Sequence, residues 1–246
     1  MREDILCVMW KESKGLLRFS SNRWKGILTL LAPIAMFGIL LPIQLRQEWF
    51  TYSWSIIVAI VTPMILITTT ISESFAGERE RHTLETLLAS RLPDRAILLG
   101  KLFVSVVFGW GTTLFLLFVS MLVVNIMEWH GGFRIYQTNI LLIDIAASML
   151  MSGMVASLGI LVSLRSATVQ NASQTLMLLI FMPLMLLQAA AFLIPTFFSK
   201  ETMREFINKM NLNNIMLVVL AFLLIANLAF FISALARFKR SRLILS

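Results

Sequence analysis

Six runs of apolar residues, at roughly 26–45, 54–76, 98–127, 140–164, 175–198 and 215–236, leave this chain few ways to fold. Each has about 20 residues or more, enough for a helix to cross a ~30 Å hydrocarbon core. In lipid, every backbone N–H and C=O must be satisfied inside the segment, so single runs of this kind read as helices. A composition that is 58% hydrophobic and 14% charged lies outside the range of soluble domains and agrees. The expected fold is an all-α membrane protein of six transmembrane helices. The third run is the longest and is expected to tilt or to project beyond the bilayer. The connections are too short for a soluble domain. In the longest outer one, 199–214, Met203, Phe206, Ile207 and Met210 recur at helical spacing and predict a short surface helix.

Residues 1–25 precede the first run and predict an amphipathic interfacial helix. Ile5, Leu6, Met9, Trp10, Ser13, Leu16 and Leu17 share one side of it; Asp4, Lys11, Lys14 and Arg18 share the other. Such a helix lies in the plane of the membrane surface, its basic side on anionic headgroups or a partner. With the N-terminus inside, 16 Lys and Arg fall on inner segments and 5 on outer ones. The positive-inside rule then puts both termini in the cytoplasm of a multi-pass cell-membrane protein. The start of the chain is expected to be retained rather than removed as a signal peptide. The formal charge of +8 is spread along membrane borders, which speaks against nucleic acid. A single cysteine, Cys7, excludes an intrachain disulfide.

Between the second and third runs lies a dense charged segment. Glu73, Glu78, Glu80, Glu85 and Asp94 alternate with Arg79, Arg81, Arg91 and Arg95. Leu84, Leu87 and Leu88 fall at i, i+3, i+4 and predict a short helix with one apolar stripe. Thr83 is expected to cap it, Glu85 to sit in its first turn, Pro93 to end it and Asp94 to cap the next helix. A ridge of leucine flanked by charges of both signs suits docking onto a soluble partner.

Catalytic chemistry finds little support. The two histidines, His82 and His130, lie in loops, so paired haem ligands within the spans are excluded. No G-x-x-x-x-G-K-[ST] loop is present, so the chain does not bind and split ATP in that way. The polar residues within the spans are the remaining signal, because such groups are costly in lipid. Asp144 is the one acid well inside a span, near its outer end. Gln188 and Asn227 lie near the midplanes of the fifth and sixth runs. Thr62, Thr68, Thr69 and Thr70 make the inner half of the second run hydroxyl-rich, leading to Glu73. Each can equally bond its own helix or join two helices. Ser148, Ser152, Gly153, Ala156 and Ser157 read as a close-packing stripe.

The stretch Glu73-Ser-Phe-Ala-Gly-Glu-Arg-Glu-Arg-His-Thr-Leu-Glu-Thr-Leu-Leu-Ala-Ser90, with Ile97-Leu-Leu-Gly-Lys101, resembles the signature region of ABC type-2 exporter permeases. That family includes sodium, drug and antibiotic efflux permeases. Trp10-Lys-Glu-Ser-Lys-Gly-Leu-Leu-Arg18 resembles the family's connecting helix; His82 departs from the pattern, which more commonly has a small or basic residue there. The resemblance implies a connecting helix over 1–25 and a permease domain over 26–246, with a coupling segment at 77–95. The partner would be a separate cytoplasmic ATPase that binds ATP and Mg, this chain holding no cofactor itself. Its contact would comprise Glu78, Arg79, Glu80, Arg81, Thr83, Leu84, Glu85, Leu87 and Leu88. A second permease copy or a homologue would complete a pathway between the second and fifth spans, lined by Thr68, Thr69, Thr70, Glu73, Met182, Met185 and Gln188. A secondary transporter is disfavoured by the single peripheral Asp144, whereas a scaffold that recruits a cytosolic protein remains open.

The charge count makes the orientation testable. In a Cys7→Ser background, Ser241→Cys should react with an impermeant thiol reagent only after the membrane is permeabilised. Labelling in intact cells would overturn the topology.

Overall fold

A computed structural model describes residues 1–17, 31–46, 48–51, 54–83, 86–87, 89–129, 132–197 and 212–238, and all regular structure among them is helical. The helices are α1 (Arg2–Leu17), α2 (Leu31–Leu45), α3 (Glu48–Thr51), α4 (Trp54–Glu80), α5 (Asp94–Met127), α6 (Thr138–Ser163), α7 (Val169–Phe197) and α8 (Leu212–Arg237). Five of them, α4 to α8, are long and apolar enough to cross a membrane. The first predicted span corresponds to α2, a shorter helix whose residues Ile34–Leu40 are π-helical. Pro42 lies two residues beyond it and removes a donor from the ladder. Residues 26–30 of that run and the expected surface helix in 199–211 lie outside the described residues.

α4 is the helix around which the others are arranged. It packs along α6 over most of its length and also meets α5 and α7. Small residues set these approaches. A Cβ on Gly159 of α6 would overlap Ile71 of α4, and one on Gly109 of α5 would overlap Ile67. Gly153 of α6 admits Asn227 of α8, whose Nδ2 donates to the Leu150 carbonyl at 3.1 Å. Ser148, Ser152, Ala156 and Ser157 are buried beside these contacts, as their spacing predicted. The main core joins Met64, Ile71 and Phe75 to Ile97, Val155, Ile160, Leu176 and Phe238.

A second cluster closes the far end around Trp49, Val58, Leu116 and Tyr136. There the Trp49 Nε1 donates to the Tyr136 hydroxyl at 2.9 Å, which lies 2.9 Å from the Ser120 hydroxyl and donates to the Leu117 carbonyl at 3.2 Å. Asn125 grips the following loop from both sides, accepting from the Arg134 N–H at 2.7 Å and donating to its carbonyl at 2.8 Å.

The charged segment departs from its expected shape. α4 does not stop at residue 76 but continues to Glu80, since Glu and Arg are good helix formers and extend it readily. The stop comes at His82, which adopts a left-handed conformation (φ 56°). Its N–H bonds to the Arg79 carbonyl at 3.0 Å, and the Thr83 N–H to the Glu78 carbonyl at 2.9 Å, the pair of bonds that closes a helix C-terminus. Histidine tolerates this backbone better than most side chains do. Thr83 adds to this stop, its hydroxyl donating to the Glu78 carbonyl at 3.2 Å, while its own carbonyl accepts from the Leu87 N–H at 3.1 Å, at the start of the turn that follows. Pro93, not Asp94, takes the N-cap of α5, and Asp94 sits in its first turn.

α5 has 34 residues and so is about 51 Å long at 1.5 Å per residue, well beyond a ~30 Å core. Its surplus at the charged end carries α1. The two glycine environments in the bundle give a direct test. Gly159→Val should cost about 1–3 kcal/mol by overpacking. Gly111→Val, where a Cβ meets nothing within 4 Å, should cost far less. Equal melting temperatures in detergent would contradict this packing.

Candidate coupling site

The polar centre of the charged end is Lys101, seven residues into α5 and enclosed by protein. Its Nζ donates to the Ser74 carbonyl at 2.5 Å and lies 3.2 Å from the Ser74 hydroxyl. It pairs with Glu12 at 3.1 Å and Glu78 at 3.0 Å, and stands 4.8 Å from the centre of the Phe75 ring. Glu78 is shared: its other oxygen accepts from Lys11 at 2.7 Å. Two lysines and two carboxylates thus cancel locally. A buried ammonium loses several kcal/mol of hydration, and only close opposite charges and hydrogen bonds offset that.

The network joins three helices. Glu12 and Lys11 come from α1, Ser74 and Glu78 from α4, Lys101 from α5. Beside it, Val8 of α1 presses on Gly100, where any Cβ would meet Val8 at 2.7 Å. α1 therefore presents Ile5, Val8, Met9 and Glu12 to the bundle, a face rotated from the expected apolar side. Leu6 and Trp10 remain exposed, with the Lys14 ammonium 3.7 Å from the centre of the Trp10 ring. An exposed Leu–Trp pair beside a lysine suits the border between headgroups and acyl chains.

The next two residues of α4 tie down a fourth and fifth helix. The Arg79 guanidinium donates to the Ser166 carbonyl at 3.1 Å and the Leu164 carbonyl at 2.7 Å, just beyond α6. The Glu80 carboxylate accepts from the Val169 N–H at 3.2 Å, at the start of α7. A cation at a helix C-terminus and an anion at an N-terminus each match the helix dipole. Ser163 completes the seam, accepting from the Ala76 N–H at 2.8 Å.

Of the residues expected at the partner contact, Glu78, Arg79 and Glu80 thus make bonds within the chain. Leu87 is half-buried against the main core. Leu84, Glu85 and Leu88 lie outside the described residues. Arg81 and Thr83 are exposed, and Arg91 and Arg95 are exposed with them. Among the described residues of the 77–95 segment, the exposed charges are thus Glu80 and three arginines.

The expected pathway residues divide. Thr68, Thr69 and Thr70 donate to carbonyls of their own helix at Met64, Leu66 and Ile67, and Thr68 is buried. Their hydroxyls are satisfied without any ligand. Glu73 is exposed, and Met182, Met185 and Gln188 lie on the exposed side of α7. Among the described residues no hydrogen bond links Gln188 to another helix. The motifs quoted from the sequence contain Lys101, Glu12 and Ser74, but their residue types gave none of them a role. The available signal was a lone lysine within the limits of an apolar run, preceded by glycine. Comparison of the chain with known protein families and with curated proteins finds no match.

Breaking a buried ion pair by removing one partner costs about 3–5 kcal/mol. Lys101→Met should therefore lower the melting temperature sharply, leaving Glu12 and Glu78 face to face. Adding Glu12→Gln and Glu78→Gln should restore most of the loss. A triple variant no more stable than the single one would refute the network.

Proposed function

We propose that this chain is the membrane-spanning permease subunit of an ATP-binding-cassette exporter, driven by a separate ATPase. The observation that carries the reading is the division of the charged segment. Half-buried Glu78 and Arg79, with exposed Glu80 beside them, bind α1, α5 and the α6–α7 turn into one block. The segment's exposed arginines, Arg81, Arg91 and Arg95, offer that block to something else. A motor bound there would move the ends of α1, α4, α5, α6 and α7 together. The chain has no phosphate-binding loop, so ATP and Mg belong to the ATPase subunit.

The pathway in this reading forms between two copies, or between this chain and a homologue. An amide at the depth of Gln188 needs a partner, and on the exposed side of α7 that partner comes from a second subunit or a transported molecule. Met182 and Met185 beside it provide adaptable apolar walls. Both termini and the charged segment would be cytoplasmic, in the cell membrane.

The test is ATP hydrolysis by the chain purified from its native membrane in lipid. An associated Mg-dependent ATPase is expected. Arg81→Glu with Arg91→Glu should reduce its retention severalfold and make it more salt-sensitive, because rim charges mainly govern association. Gln188→Cys should cross-link between copies, or to a homologous chain. Absence of any associated ATPase, with the chain folded, would contradict the reading.

A further inference from the structure

The far end of the bundle contains a charge-bearing group that the coupling block does not use. Asp144, in the second turn of α6, is fully buried, and neither carboxyl oxygen has a hydrogen-bond partner. Ser55, at the start of α4, is equally buried and its hydroxyl faces the carboxyl without closing an aligned hydrogen bond. Tyr136 is the other polar group close enough to interact electrostatically. Its proton already goes to the Leu117 carbonyl, and burial holds the phenol above its ordinary range, so it stays neutral.

No positive charge compensates Asp144 among the described residues. α7 has no titratable side chain, and α8 has none before Arg237. α5 has none between Lys101 and Glu128, and those of α4 lie at its opposite end, from Glu73 onward. Arg46 and Arg134, which flank this end of the bundle, are exposed and make no ion pair with it. An isolated carboxylate is too costly to bury in such a setting, and the group neutralises instead. A metal ion does not fit the place. Hard cations take six or more oxygens, whereas one carboxyl and one hydroxyl converge here, and both are enclosed.

We propose that Asp144 is a proton-binding site, protonated while α4 and α6 are closed around it and ionised when that end of the bundle opens to water. In the closed form the protonated carboxyl donates a hydrogen bond to the Ser55 hydroxyl. Opening and proton release are then one linked event. Where the closed carboxyl is protonated and the open one ionised, each pH unit changes the open population tenfold. Conformational change at this end thereby becomes sensitive to pH on that side of the membrane, independently of what drives the opposite end.

The decisive measurement is infrared spectroscopy of the full-length protein in lipid at neutral pH. A carbonyl band of a protonated carboxyl, shifted by aspartate isotope labelling and absent in Asp144→Asn, is expected. That variant keeps the shape and removes the titration. Its melting temperature should be flat where that of the wild type falls as pH rises above the ordinary carboxylate range. The sign follows because the closed form retains its proton longer than the unfolded chain. If only an ionised carboxylate is seen, or if sodium chloride raises the melting temperature of the wild type but not of Asp144→Asn, the site holds a cation and the proposal fails. Ser55→Ala, if Asp144→Asn does not fold, should leave the band present but move its frequency; an unmoved band would remove Ser55 from the site.

Discussion

The buried ammonium of Lys101 is the constraint on which the charged end of this protein depends. It sits where an apolar helix leaves its run, enclosed by protein, and it takes its compensation from two other helices. Glu78 and the Ser74 carbonyl come from α4, and Glu12 from α1. The amphipathic helix is thus held by more than its apolar face. Half of the carboxylate compensation of a buried charge would leave with it, so its docking and the packing of α4 on α5 form one event. A surface ion pair is worth less than about 1 kcal/mol; this one is coupled to burial on both sides.

The two ends of the bundle are built on different chemistry. At the charged end, ions and helix-terminus contacts join five helices, and Arg79 and Glu80 match the dipoles they meet. At the other end the bonds are neutral, from Trp49, Ser120, Tyr136 and Asn125, and the fully buried acid there, Asp144, has no counter-charge among the described residues. Between them, Gly109 and Gly159 let the helices approach closely through apolar contacts, and Gly153 admits the Asn227 amide that bonds across to α6.

Much of this was legible in the residues. Run length and lipid chemistry predicted helices, and five long apolar helices are present where the second to sixth runs lie. The small-residue stripe of α6 and the joining role of Asn227 followed from size and spacing. The charged segment was legible as a unit but not in its orientation. Alternating charges carry no information about which face turns inward, because that is decided by a lysine 23 residues further on than Glu78 and by a helix at the chain start. The left-handed turn at His82 was similarly hidden, since histidine is permitted there without being required. For the threonines of α4, type alone could not separate a hydroxyl lining a pathway from one bonded to its own helix.

The central claim is that α1 is welded to α4 and α5 through Lys101. Amide hydrogen exchange of the full-length protein in lipid tests it most directly. The account predicts that residues 5–12 exchange slowly, in step with the 74–80 end of α4. It predicts that Lys101→Met releases the first segment while the Met64–Ile71 core of α4 stays protected. Fast exchange of α1 in the wild type, or protection of α1 unchanged by Lys101→Met, would contradict it.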